Sequence, residues 1–312
     1  MPDQLMLSID DCQPGPTDSE LTADAPLAHA LEAFREHMVL QRMSPYTVRA
    51  FVSDLRLFAD YLGPHRALHT VRSLELEQFL HYLRHDRGVP CNLKSLARRL
   101  TTLKVFFAWL AEKGVLTTDP AAPLVHRRPG SPLPQVLSDG AVGELIEAAQ
   151  HLRRDPKKQD ARPLLLLTLV LDTGIKKGEC MSIALSDLNL TDSTAPSLYV
   201  RYDSARNKFK ERRLRLSKSL IDIYAEYTLQ YRPSRRLFEC TARNLEYVLA
   251  DCSKRAGLPA GSVNFESLRW TCAVRELRAG LDSEALRRKL GLSRITWAGT
   301  LEKLQRLLEP AL

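Results

Sequence analysis

A chain of 312 residues is long enough for two domains of ordinary size, each with its own core. With 44% hydrophobic and 26% charged residues it has the composition of a soluble globular protein, and its longest apolar run, PLLLLTLVL at 163–171, is far too short to span a bilayer. The formal charge of +8 is unevenly placed: residues 1–26 hold six acidic side chains and no basic one, so residues 27–312 alone carry +14. Such a body suggests a polyanionic partner, most simply nucleic acid, although solubility alone also accounts for many basic surfaces.

The first segment, MPDQLMLSIDDCQPGPTDSELTADAP, has no basic n-region and no apolar h-region, so a secretory signal is not expected and the chain is expected to work in the cytoplasm. Its Pro, Asp and Ser content predicts an acidic disordered tail over 1–26. The six cysteines are scattered without a C-x-x-C pair, which argues against a disulfide framework and a zinc site and favours reduced, unligated thiols.

Helices follow. In SPYTVRAFVSDLRLFADYLG, Ser44 is a plausible N-cap, Pro45 suits the first helical position and Gly63 ends the run. Val48, Phe51, Val52, Leu55, Phe58 and Leu62 recur at helical spacing as a core face, leaving Arg49, Ser53 and Arg56 opposite. LELEQFLHYLRHD is another helix; its His81 and His85 share a face but lack the glutamate of H-E-x-x-H, so they are read as surface residues rather than metal ligands. In NLKSLARRLTTLKVFFAWLAEKG, Leu93, Leu96, Leu100, Leu103, Phe107 and Leu110 point inward, with Lys94, Arg98, Thr101 and Thr102 outward. Two helices thus carry basic outer faces, which solvation alone would also explain.

The Pro- and Gly-rich stretch LVHRRPGSPLPQVLS at 124–138 marks a domain boundary near residue 130, giving a helical domain over 27–126, a linker over 127–134 and a second domain over 135–312. Helices are predicted at about 138–152 and 161–174. SLYVRYDSARNKFKERRLRLS then reads as a β-hairpin, with Leu198, Val200 and Tyr202 leading in and Leu214 and Leu216 returning. Seven basic residues against Asp203 and Glu211 within 201–215 point to phosphate contact.

From about residue 27 onward the chain resembles a tyrosine recombinase of the phage-integrase family. SPYTVRAFVSDLRLFADYL and LKSLARRLTTLKVFFAWLAEKGVLTTDPAAPL are similar to the family's helical core-binding (SAM-like) domain, and LPQVLSDGAVGELIEAA to the opening of its catalytic domain. DTGIKKGECMSIALSDLNL resembles the motif T-G-x-R-x-x-E-x-x-x-L-x-x-x-D, and ESLRWTCAVRELRAGLDSEALRRKLGLSRI resembles H-x-L-R followed by L-G-H. The resemblance implies a mainly α (α+β) fold: a core-binding domain plus a catalytic-type domain with a small antiparallel β-sheet, clamped on double-stranded DNA, with no metal or cofactor. It also implies a chemistry. A tyrosine attacks a DNA phosphate, two arginines and a histidine stabilise the charge that develops, and a hairpin lysine protonates the leaving oxygen.

Carried onto this sequence, the first arginine falls on Lys176, the first histidine on Glu266, the second histidine on Leu292 and the nucleophile on Leu301, while the second arginine survives as Arg269. Lysine keeps the charge but loses the planar fork that grips two oxygens. No change of register restores what is missing, because the last tyrosine of the chain is Tyr247 and the last histidine His151. The hairpin lysine falls on Asn207, leaving Lys208 and Lys210 as candidates. The expectation is a DNA-binding, catalytically inactive homologue at the nucleoid, acting in recombination or integration as an accessory, architectural or regulatory protein. The alternative is an active strand-transferase using Thr300, Ser293 or Cys272. DNA contacts are expected from Arg49, Ser53, Arg56, Lys94, Arg98 and Thr102 in the first domain, and from Arg206, Lys208, Lys210, Arg212 and Arg269 in the second. Glu266 is expected to pair with one or both of Lys176 and Arg269, because an unpaired buried carboxylate would be costly. The C-terminal stripe Leu301, Leu304 and Leu308 is expected to dock onto its own subunit, onto a second copy, or onto an active recombinase partner.

Overall fold

The computed structural model describes residues 21–89, 91–125 and 132–309, without the side chain of Arg206. It divides into two compact units, parting between Ser131 and Pro132.

Among the described residues, the first unit holds the α-helices α1 (Leu27–Leu40), α2 (Pro45–Leu62), α3 (Ser73–His85) and α4 (Leu93–Glu112). Ser44 caps α2 by accepting from the Thr47 amide at 3.1 Å, and Asn92 caps α4 by accepting from the Ser95 amide at 2.8 Å. Gly63, at φ 100°, ends α2 in a backbone conformation that costs any other residue strain. The core is aromatic: Phe34 meets Phe106 edge-on at 5.3 Å and Phe58 meets Phe79 at 5.1 Å. Leu93 is an exception to the expected inward face. It opens α4 beyond the edge of the core and is exposed.

Two further expectations are corrected here. Of the acidic tail, residues 1–20 lie outside the described residues, but 21–26 are part of the fold: Ala25 is buried and its carbonyl accepts from the Leu68 amide. Thr102 does not face outward. It is fully buried and donates to the carboxylate of Asp54 on α2 at 3.1 Å. Asp54 is itself buried, and Arg98 (2.6 Å) and Arg99 (3.4 Å) complete its neutralisation. A carboxylate on the inner side of α2 turns the inner edge of α4 polar, and the periodicity of α4 alone cannot reveal it.

The second unit is built around α6 (Arg162–Thr173), whose Leu164–Leu167, Leu169 and Val170 are all buried, so the helix is apolar on every side. Packed on it are α5 (Asp139–Arg153), α8 (Ser219–Tyr231), α9 (Ala242–Arg255) and α10 (Phe265–Arg278). A three-stranded antiparallel sheet, β1 (Leu188–Asn189), β2 (Ser197–Val200) and β3 (Arg212–Arg215), follows the short α7 (Lys177–Ser182). Leu198 pairs with Leu214, and both turn into the core. The expected hairpin is thus present, with β1 as an added edge. Two last helices, α11 (Ser283–Lys289) and α12 (Arg294–Leu308), close a separate apolar cluster against α10. Among the described residues, no helix is long and apolar enough to cross a membrane, and no cluster of side chains could hold a metal ion.

Candidate active site

Four pieces of chain meet where α6 ends. Gly174 caps the helix at φ 60°; a Cβ there would lie 2.8 Å from Leu290 Cδ2 and 3.2 Å from Cys272 Sγ. The tight exit delivers Lys176 to the start of α7, where its amide donates to the Glu179 carboxylate at 2.9 Å. From the hairpin, Arg212 grips the same carboxylate with both terminal nitrogens, at 3.1 and 3.0 Å. Its Nε donates to the Lys289 carbonyl at the end of α11 at 2.6 Å, and the Tyr202 hydroxyl completes the shell around Glu179. Arg269, on α10, donates to the carbonyls of Gly174 and, at 2.7 Å, of Leu290. Lys176 Nζ reaches the Gly291 carbonyl at 3.3 Å and Glu179 at 3.8 Å.

In this cluster one carboxylate faces three cations, Lys176, Arg212 and Arg269. Burial works against ionisation of Glu179, but the hydrogen bonds and charge of Arg212, with Tyr202 and the Lys176 amide, prevail and hold its pKa at about 2. Burial and the adjoining carboxylate push the Tyr202 hydroxyl up to about 12. Lys176 is shifted down, first by burial and then by the like charges of Arg269, Lys210 and Arg212, with Glu179 opposing. Burial likewise lowers Arg269.

Beside the cluster is a cavity of about 270 Å³, whose lining includes Lys176, Glu266, Arg269, Trp270, Leu292 and Thr300. The structure therefore brings together the positions picked out by the sequence motifs. Glu266, however, does not behave as expected. It is exposed and accepts from the indole Nε1 of Trp270, one turn on, at 2.9 Å; no ion pair joins it to Lys176 or Arg269. Exposure removes the burial cost that would have driven the pairing, and the indole takes the hydrogen bond instead. Leu292 and Leu301 are half-buried and pack with Trp270, Trp297 and Leu304. The C-terminal helix α12 thereby docks in cis on α10 and α11.

The expected DNA-facing residues divide. Arg49, Ser53, Arg56, Lys94 and Arg98 are exposed on α2 and α4, with Arg98 also paired to Asp54. Thr102 is excluded by burial. Arg212 is excluded too: the Glu179 carboxylate beneath it and two carbonyls draw it inside, so it supports the site instead of a DNA surface. The side chain of Arg206 lies outside the described residues. Lys208 is exposed, whereas Lys210 donates to Asn207 Oδ1 at 2.7 Å and is close enough to depress the pKa of Lys176. Of the two hairpin lysines, Lys210 is thus the one that faces the cluster. The substitute nucleophiles are poorly prepared. Cys272 is buried with its thiol pushed up to about 11, Ser293 Oγ accepts from the Thr296 amide at the start of α12, and Thr300 donates to the Thr296 carbonyl.

Residues 31–114 match the phage integrase N-terminal SAM-like domain. The protein named tyrosine recombinase XerC from Roseiflexus sp. (strain RS-1) is 27% identical over 284 residues, 85% of this chain and 86% of that one. The protein of the same name from Oceanobacillus iheyensis is 25% identical over 278 residues, covering 84% and 87%. Among solved structures, a lambda integrase dimer bound to a COC′ core site superposes with a TM-score of 0.70 at 16% identity, over 92% of this chain and 80% of that one. XerH recombinase bound to its difH substrate gives 0.69 at 14% identity, over 90% and 94%. The first unit is thus similar in sequence to the phage integrase SAM-like domain, the chain as a whole is similar to proteins named tyrosine recombinase, and it shares the fold of lambda integrase and XerH recombinase.

Proposed function

We propose that the chain binds double-stranded DNA and takes part in recombination or integration without cleaving DNA itself, as an accessory, architectural or regulatory homologue of the tyrosine recombinases. The observation that carries this reading is the pair Leu292 and Leu301: at the places of a histidine and of the nucleophile, both are hydrocarbon side chains committed to an apolar cluster. Losing one charge-stabilising donor typically costs about 10²- to 10³-fold in rate, but losing the nucleophile removes the mechanism. DNA binding is supported by the exposed cations of α2 and α4, the basic hairpin and the DNA-bound state of the solved relatives. A chain with this role works at the nucleoid, in the cytoplasm, as a homo-oligomer or beside an active recombinase, with the C-terminal helix as the contact.

A second reading keeps activity through Thr300, the one hydroxyl among the substitute nucleophiles that lines the cavity with Arg269 and Lys176. Duplex binding measured against salt, together with nicked duplexes that trap a covalent protein–DNA adduct, separates the two. The expected result is salt-sensitive binding and no adduct. Reversing charge at both Arg49 and Arg56 should lower the log–log salt slope by about one for each phosphate no longer neutralised. Absence of duplex affinity at low salt overturns the DNA reading; an adduct that disappears in Thr300→Ala overturns the inactive one.

A further inference from the structure

The β2–β3 hairpin carries a large apolar side chain that the packing of its domain does not use. Phe209 is 66% exposed in the 3₁₀ turn Ala205–Lys210. The last paired residues of the two strands are Val200 and Arg212, so residues 201–211 project beyond the ladder. The base of this projection is fixed: the Tyr202 amide donates to Glu211 at 2.9 Å, and Arg212 is locked onto Glu179. Its tip is therefore presented from a rigid mount, with the ring outward.

The surroundings of the ring select its partner. Lys210 Nζ is 5.2 Å from the ring centroid, Lys208 is exposed next to it, and Arg201, Arg213 and Arg215 are exposed along the two strands. A protein contact surface built on a phenylalanine usually excludes charge from its centre; here Lys210 lies beside the ring and the exposed Lys208 precedes it. Phosphates on either side with bases between them match that pattern, because each base has a π-face and the cations need anions at close range. A rigid aromatic held out by a cationic arm is also the form of the apolar wedges that enter a groove and partly unstack a base step.

Resting on the DNA-binding reading above, we propose that Phe209 is such a wedge: it inserts from a groove of duplex DNA against a base step, while the exposed Lys208 holds a flanking phosphate. The ring then adds a local distortion to a hairpin that would otherwise contribute only charge.

The test uses the full chain and short duplexes, selected for binding to it, with 2-aminopurine placed at successive positions. Fluorescence should rise at one step on binding, as unstacking relieves quenching. Phe209→Ala should return it to the level of free duplex and weaken binding roughly tenfold. Phe209→Trp should retain both, whereas Lys208→Gln should lower the salt slope and leave the fluorescence change. Because the ring is exposed, the thermal unfolding of Phe209→Ala should match that of the parent chain. Unchanged fluorescence and affinity in Phe209→Ala on a bound duplex overturn the wedge and leave the DNA reading standing. So does a loss of self-association alone in sedimentation. Failure of the parent chain to bind any duplex overturns both.

Discussion

The charged cluster around Glu179, the floor of the site, and the apolar cluster around α12, its wall, are built differently. On the floor, Glu179, Arg212, Arg269 and Lys176 form a closed set of ion pairs and carbonyl contacts, held by two glycines in left-handed backbone, Gly174 and Gly291. On the wall, where the family's chemistry would place a histidine and a tyrosine, Leu292 and Leu301 lean on Trp270 and Trp297. The floor residues satisfy one another, so removing any of them strands a buried charge or a backbone carbonyl. The wall residues are half-buried and satisfy nothing polar. On the inactive reading proposed above, the reacting groups are lost at little cost to folding while the supporting framework is kept by the fold itself.

The sharpest way to break this comparison is to remove Arg212. In Arg212→Ala the Glu179 carboxylate, only 4% exposed, keeps its burial and loses its bidentate partner. Denaturant unfolding should show a loss of about 3–5 kcal/mol. A drop smaller than about 1 kcal/mol, the worth of an ordinary exposed ion pair, would mean that the floor carries no more structural weight than the wall.

A smaller effect on the same pair should appear in acid. Glu179 is held at about 2, below its ordinary 4.5. A carboxylate with a depressed folded pKa contributes its full stabilisation above about pH 4.5, loses it progressively as the pH falls from 4.5 to 2, and contributes none below. Stability measured by urea unfolding should fall across that window. Glu179→Gln, less stable at neutral pH, should show a flatter fall, and parallel curves for the two proteins would remove Glu179 from the account.

The reach of the sequence divides along the same line between pattern and partner. The helices are legible because Ser44, Pro45 and Gly63 punctuate α2, and because the apolar run at 163–171 can only be a core element. The motifs around Lys176 and Arg269 mark the place of the cavity. What opposes a given side chain across the fold is not legible. Thr102 has the spacing of an outer residue, yet Asp54, 48 positions away, turns the inner edge of its helix polar. Arg212 reads as one more cation of a basic hairpin, although its partner stands in DTGIKKGEC as Glu179, 33 positions earlier. Glu266 invites pairing with a distant cation, whereas an indole one helical turn away takes its hydrogen bond. Periodicity reports which face a residue occupies, and pairing depends on long-range packing that it does not encode.

The smallest expected effect is the most informative about the wall. Leu292→His and Leu301→Tyr place polar groups at half-buried positions, the first of them lining the cavity, where an imidazole or a phenol can keep its polar edge in water. Each exchange should cost about 1–3 kcal/mol, the range for enlarged or reshaped side chains in a packed site, with half-burial keeping it toward the lower end. If so, the fourfold variant Lys176→Arg, Glu266→His, Leu292→His and Leu301→Tyr folds and can be assayed with nicked duplexes. Single repairs leave the other defects in place, because members of such a site act as a unit. Weak covalent trapping in the fourfold variant alone would show that the floor still presents a phosphate to the wall. A well-folded fourfold variant that binds duplex and traps nothing would mean that the framework, closed on its own carboxylate, no longer leaves its cations free for DNA.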